Sequence, residues 1–362
     1  MPGAEAMTTI QEVARYAQVS TATVSRVLNN HSNVHPDLVR RVRAAVEALA
    51  YQRNAVARNL RRSQTSLWAV IVSDVGNPFF TAMVRGLEDV AQQGGCSVVL
   101  CNSDESPAKE ADYIAAAAAE RMAGVVISPA SAATDVTPLV DLGIPVVAVD
   151  RRLRGTAVDT VLVDNQRGAE AATAHLVDMG YQRVACITGP TQAMTASERL
   201  KGYKRALRRH ERDLLPDLVR HADFRERGGY EAMRSLLAGS GPDAVFVTNN
   251  LMAVGALKYL VQHGIRVPRD VGVVGFDEIP WADLIHPSLS TVAQPTYDMG
   301  RMAGQLLAAH SASPDKRPET VVLRTSLNIR ASSTPRASEP RRARRLRERG
   351  QQPTRPGEVP TR

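Results

Sequence analysis

At 362 residues the chain exceeds one average domain and has the volume for two or three compact cores, and its 44 % hydrophobic content suits a globular protein. No run of eighteen uncharged apolar residues occurs, and Met1–Met7 lacks the charged and apolar regions of a secretory signal, so no membrane partner and a cytoplasmic location are expected. The formal charge of +8 is uneven: residues 1–63 carry nine basic against four acidic side chains, residues 333–362 nine against three, and residues 64–332 are left at −3. A basic terminal module on a mildly acidic body points to nucleic-acid contact by that module, because phosphate contacts and counterion release supply most nonspecific affinity. Cys96, Cys101 and Cys186 have neither CxxC spacing nor a neighbouring histidine cluster. A disulfide framework and a metal site are therefore not indicated, and buried thiols are expected.

In chain order, Thr9-Ile10-Gln11-Glu12 has capping-box spacing, with a hydroxyl and a carboxylate placed to satisfy the first amides of a helix. Ile10, Val13, Ala14 and Ala17 follow as one apolar stripe of about two turns. Ser20 can cap a second short helix, Thr21 to Asn29, whose buried stripe is Val24, Val27 and Leu28; Thr21, Ala22, Ser25, Arg26 and Asn29 then face outward. Two short helices joined by a tight turn suggest helix-turn-helix. A third helix begins near Pro36-Asp37, where proline and aspartate suit a helix start, and closes a three-helix core.

From Leu67 the pattern becomes apolar runs separated by helical stretches. Strands are predicted at Trp68 to Ser73, Ser97 to Cys101, Gly124 to Ser128, Pro145 to Asp150, Val161 to Asp164, Val184 to Thr188, Ala244 to Thr248 and Val271 to Phe276. Val/Ile-rich runs without polar alternation belong in parallel sheets covered on both faces, so this part is doubly wound α/β, and about 265 residues divide naturally into two lobes. The segment after Ser332 is rich in Pro and Arg and is expected to be a disordered tail, with nonspecific DNA contact as an alternative.

Residues Thr9 to Ala14 and Val19 to Asn29 resemble the headpiece of LacI/GalR-type regulators, and Tyr51 with Asn54 to Leu60 resembles their hinge helix; the likeness continues to residue 332. His35, where a serine or threonine cap is frequent, and Arg53, where a proline is frequent, depart from it. The resemblance implies an all-α helix-turn-helix headpiece over 7–52, a hinge helix and linker over 53–63, and a two-lobed periplasmic-binding-protein-like domain over 64–332. Its first lobe is expected at about 66–163 and 295–325, its second at about 164–294 and 326–332, with a basic tail over 333–362. It implies a sequence-specific repressor that binds a palindromic double-stranded operator as a homodimer and is controlled by a small sugar. DNA-binding residues are then Thr9, Ser20, Thr21, Ala22, Thr23, Ser25, Arg26, Asn29, Asn54, Ala57, Arg58 and Leu60. Arg26 has the donors to read a guanine O6 and N7, the alternative being an exposed helix arginine. Residues 54–60 are too few for a helix stable alone, and a leucine matching Leu60 wedges into the minor groove in this family, which makes the hinge a candidate order-disorder switch.

The lobes resemble periplasmic sugar receptors, the ribose receptor above all. Phe79 and Phe80, with Phe224, are candidates to sandwich a sugar ring, while Asn77, Asp150, Arg151, Arg199, Asn249, Asp277 and Gln294, with Ser73 and Ser128, match hydroxyl-binding positions. Most lie just past strand carboxyl ends, where open α/β sheets place ligands. The plainer alternatives are that Phe79 and Phe80 are core and that Arg199 pairs with Glu198 or caps a carbonyl. Ribose or a related pentose or hexose is the expected effector, with a purine the alternative, since the purine-responsive branch has a similar NPxF motif. Asp150, Asp164 and Asp277 offer carboxylates, but no nucleophile elbow, phosphate loop or metal-spaced cluster accompanies them, so neither catalysis nor a cofactor is expected. A transport receptor is disfavoured by the attached DNA reader. One recognition helix covers a half-site, which implies a two-fold dimer.

Overall fold

The computed structural model describes residues 8–28, 33–51, 65–239, 241–313 and 315–334. Contacts divide the chain into two units, Met1–Thr65 and Ser66–Arg362. In the first, helices α1 (Ile10–Tyr16), α2 (Thr21–Leu28) and α3 (Pro36–Ala48) surround Val13, Val24 and Val42. Fully burying a valine contributes about 1.5–3 kcal/mol, so in so small a core an end cap, at about 1 kcal/mol, is a sizeable fraction of stability. The caps are present. The Thr9 and Glu12 side chains satisfy each other's backbone N–H, and Arg41 donates to the carbonyls of Ala17 at 2.6 Å and Gln18 at 3.0 Å, closing the end of α1. Gln18 takes the left-handed conformation (φ 51°) that turns the chain between α1 and α2. His35 caps α3 in place of a hydroxyl, its Nδ1 accepting from Asp37 N at 3.4 Å.

The second unit holds two six-stranded sheets. Strands β1 (Leu67–Val72), β2 (Ser97–Asn102), β3 (Gly124–Ile127), β4 (Val146–Val149) and β5 (Asp159–Val163) alternate with helices α4 (Pro78–Gln93), α5 (Pro107–Ala119) and α6 (Thr137–Val140). The chain then crosses to the second sheet through α7 (Asn165–Asp178), β6 (Val184–Thr188), α8 (Met194–Arg209), β7 (Val219–His221), α9 (Glu226–Ala238), β8 (Ala244–Val247), α10 (Asn250–Gln262), β9 (Gly272–Phe276) and β10 (Ser290–Ala293). It returns with α11 (Thr296–Ala312) and β11 (Thr320–Leu323), and crosses once more to end in β12 (Ser326–Asn328). The orders are β11-β5-β4-β3-β1-β2 and β12-β10-β9-β8-β6-β7. Each sheet carries an apolar cluster on both faces, as a parallel sheet requires. Close helix packing seats the return helix: a Cβ on Gly300 of α11 would lie 1.8 Å from the Met83 carbonyl oxygen of α4.

Four strands escape the sequence reading. β7, β11 and β12 are edge strands of three or four residues, and β10 reads Ser290-Thr291-Val292-Ala293, too polar for the apolar-run criterion although it is nearly all buried. Ser290 and Thr291 are buried because Ser332, Ser333 and Glu278 supply their hydrogen bonds. The two sheets are parallel, as expected, apart from one edge, where β12 runs antiparallel to β10. Of the thiols only Cys186 is buried; Cys96 and Cys101 are half-buried near or on the edge strand β2. Ser333, where the sequence predicts the start of the tail, is fully buried and bonds His175 at 2.7 Å. Asn29, the hinge positions Asn54, Ala57, Arg58 and Leu60, and residues 335–362 lie outside the described residues.

Candidate functional site

Helix α2 turns Val24 and Val27 into the core, and its opposite face is set by that burial: Thr21, Ala22 and Arg26 are exposed, Thr23 and Ser25 half-buried. Ser20 Oγ accepts from Thr23 N at 3.1 Å and lies 2.9 Å from the Thr23 hydroxyl, so these two groups order the helix start. The Thr9 hydroxyl is likewise engaged with Glu12. The outward face is thus short and polar, with Arg26 as its one arginine.

In the second unit the ends of β1, β4, β8, β9 and β10, with the loop after β7, converge on a cleft between the lobes. Asn77 caps α4, accepting from Phe79 N at 3.0 Å, and also accepts from Asn250 Nδ2 of the opposite lobe at 2.8 Å. Asn249 caps α10 in the same manner. Phe79 and Phe80 meet edge to face with centroids 4.9 Å apart; they belong to the core cluster and also form a cleft wall, so both alternatives hold. Opposite them lies Phe224, whose ring fits because residue 189 is glycine: a Cβ there would come within 2.2 Å of it.

Asp150, Phe224 and Asp277 all leave their strands with positive φ, at 64°, 64° and 73°. Such conformations cost of order 1–3 kcal/mol in residues other than glycine and persist where the surroundings enforce them. Here Asp150 N donates to Val161 O at 3.0 Å and Asp277 N to Val292 O at 2.9 Å, turning both carboxylates off the sheet ends. Arg151 grips Glu105 through two hydrogen bonds of 2.6 and 2.7 Å. Arg199 donates to Asn165 Oδ1 and the Thr248 carbonyl, both at 2.7 Å, stacks 3.8 Å over the Phe276 ring and lies 3.6 Å from Asp277. It caps a carbonyl as well as lining the cleft, and its acidic neighbour is Asp277 rather than Glu198. Gln294 Nε2 donates to Asp277 Oδ1. Burial, opposed by Arg151 and Arg199, pushes the Asp150 carboxyl up to about 6; burial also raises Asp277. Two buried polar atoms of lining side chains have no hydrogen-bond partner: Arg151 Nε, a donor, and Gln294 Oε1, an acceptor.

Of the sequence-predicted effector residues, Asn77, Phe79, Phe80, Asp150, Arg151, Arg199, Phe224, Asn249, Asp277 and Gln294 meet at this cleft. Ser73 and Ser128 do not line it. They are fully buried beneath it, with hydroxyl oxygens 3.3 Å apart. Five lining residues went unnoticed: Asp74, Glu105, Thr195, Asp223 and Arg225. Position past a strand end would have found four of them, but β7, which presents Asp223 and Arg225, was itself missed. Arg225 reaches across the lobes to Asp104 at 2.6 Å and Asp74 at 3.5 Å. Among the described residues, no group of three or more His, Cys, Asp or Glu is arranged to hold a metal.

Comparison with known proteins matches residues 9–54 to the bacterial regulatory proteins of the lacI family and residues 173–333 to a periplasmic binding protein-like domain. The ribose operon repressor of Halalkalibacterium halodurans is 37% identical over 305 residues, covering 83% of this chain and 89% of that protein. The lac repressor dimer bound to operator and the anti-inducer ONPF is similar in structure, with a TM-score of 0.80 and 27% identity over 91% of this chain and 100% of that one. A LacI family regulator from Enterococcus faecium with bound ribose gives 0.68 and 28% over 74% and 99%. With a helix-turn-helix unit preceding a two-lobed periplasmic-binding-protein-like domain, and sequence identity sustained along most of its length, this chain belongs to the lacI family of bacterial regulatory proteins.

Proposed function

We propose that the protein is a cytoplasmic transcription repressor that binds a palindromic operator as a homodimer through the exposed face of α2, and that ribose or a related pentose or hexose in the cleft weakens that binding. The observation that carries the sugar reading is a pair of buried atoms without hydrogen-bond partners, the acceptor Gln294 Oε1 and the donor Arg151 Nε, which has only the ion-pair contact to Asp150 Oδ2 at 3.5 Å, in a cleft walled by Phe79, Phe80 and Phe224. A sugar hydroxyl both donates and accepts, so one ring can satisfy both atoms while its apolar faces lie on the phenyl rings. The names and contents of the relatives, a ribose operon repressor and a ribose-bound regulator, support the same reading. Asp150 and Asp277 act as hydroxyl acceptors rather than as an acid–base pair, and the protein is a regulator and not an enzyme or transport receptor. No helix among the described residues is long and apolar enough to cross a membrane.

Two such readers related by a two-fold axis match a palindrome. Thermal unfolding against a panel of pentoses, hexoses and purine bases tests the effector. At a hundredfold excess over Kd a true effector stabilises the domain by about 2.7 kcal/mol. If no sugar in the panel shifts the transition, the sugar reading is wrong.

A further inference from the structure

We propose that the cleft accepts uncharged, hydroxyl-rich effectors and excludes sugar phosphates and sugar acids, with Glu105, Asp104 and Asp277 setting this selectivity by occupying the cleft's cations. The inference rests on the reading of the cleft as the effector site and narrows the chemical class of the ligand.

An anionic ligand needs an available cation, and three arginines line the cleft. Arg151 commits both terminal nitrogens to Glu105 in a bidentate pair, and its Nη1 also reaches the Pro129 carbonyl at 3.2 Å. Arg199 is held by Asn165 and the Thr248 carbonyl, with Asp277 3.6 Å away. Arg225 spans to Asp104 and Asp74. Against these three guanidinium groups the lining presents five carboxylates, those of Asp74, Glu105, Asp150, Asp223 and Asp277, so the fully ionised lining carries −2.

Two of the five, Asp150 and Asp277, are buried, where solvent and salt screen little. A phosphate would bring about 1.5 to 2 further negative charges beside them, and like charges in a desolvated site repel strongly. A neutral polyol avoids that cost and supplies what the lining lacks. Asp150 and Asp277, when ionised, only accept hydrogen bonds, and Gln294 Oε1 is an unpaired acceptor; donors are in demand, and hydroxyl-to-carboxylate bonds are among the stronger kind. Burial, opposed by Arg151 and Arg199 and reinforced by Asp277 and Glu105, pushes Asp150 up to about 6.

The test is calorimetric titration of the full chain near neutral pH with ribose, ribose 5-phosphate and ribonate, with the same trio for other pentoses and hexoses and with purine bases beside their nucleoside monophosphates. The neutral member is expected to bind, and its phosphate and acid forms about 100-fold or more weaker. Glu105→Gln releases Arg151 from its bidentate carboxylate and is expected to narrow that gap to about tenfold; Asp104→Asn, which frees the more exposed Arg225, narrows it less and serves if the first variant fails to fold. A wild-type protein that binds the phosphate or the acid as tightly as the neutral sugar overturns the proposal. So does a folded Glu105→Gln protein with an unchanged ratio. A purine base that binds where no sugar does, and whose monophosphate does not, defeats the sugar reading and leaves the exclusion of anions standing.

Discussion

Asp150 is a buried carboxylate whose nearest charged neighbour, Arg151, is already engaged by Glu105. Its folded pKa, about 6, lies above the ordinary carboxylate range. The stability it contributes is therefore full at low pH and is lost as pH rises through 6, so at neutral pH the ionised group is a liability in the ligand-free domain. Asp150→Asn removes that liability: the melting temperature of the ligand-free protein is expected to rise by a few degrees, while sugar affinity falls by about 10- to 100-fold with the loss of a charged acceptor. Calorimetry with and without sugar measures both, and a variant that loses stability and affinity together contradicts the assignment. The same group couples binding to protons. Hydroxyls donated to the ionised form lower its pKa, so effector affinity is expected to strengthen as pH rises from 5 to about 7.5, with proton release on binding; a flat profile would show that Asp150 does not touch the ligand. Gly189 gives a steric counterpart. Gly189→Ala pushes the Phe224 ring into the cleft and is expected to lower sugar affinity about tenfold, a change readable by titration, with operator affinity in the absence of sugar retained.

At the level of elements, α2 is ordered by burial on one side and exposes Thr21, Ala22 and Arg26 on the other, the face proposed to read DNA. Arg26→Ala is expected to weaken operator binding by about 1–3 kcal/mol and to relax preference at one base pair, without moving the unfolding transition. Binding to operators substituted at each position checks this; unchanged preference at every position would return Arg26 to the role of a solvated helix arginine. The headpiece is legible in the sequence because its signals are local: Thr9 and Glu12 cap α1, Pro36 and Asp37 start α3, and the apolar residues keep helical spacing. The eight strands read from apolar runs were legible for the same reason. Strands β7, β10, β11 and β12 were not, because their burial or pairing depends on partners distant in sequence, as Ser290 depends on Ser332 and Ser333. The cleft followed suit. Asp150, Asp277 and Gln294 end strands that either announce themselves or match a known pattern, whereas Glu105 and Arg225 acquire meaning only through Arg151 and Asp104.

On the scale of the whole molecule, three crossings join the lobes, after β5, after β10 and after β11, and Asn77–Asn250 and Arg225–Asp104 close the cleft from opposite lobes. A ligand that bridges the lobes changes their spacing by hinge movement, and a DNA reader attached to them gains or loses support accordingly. Coupling of this kind is typically worth 1–3 kcal/mol, or about 5- to 150-fold in affinity. The direct measurement is operator affinity of the purified full chain, by fluorescence anisotropy on a palindrome obtained by selection from random DNA, with and without a saturating sugar that has been shown to bind. The account predicts tight binding to the palindrome over scrambled DNA, weakened by about 5- to 150-fold when the sugar is present. Operator affinity that stays the same with the cleft filled, or no preference for the palindrome at all, would contradict it.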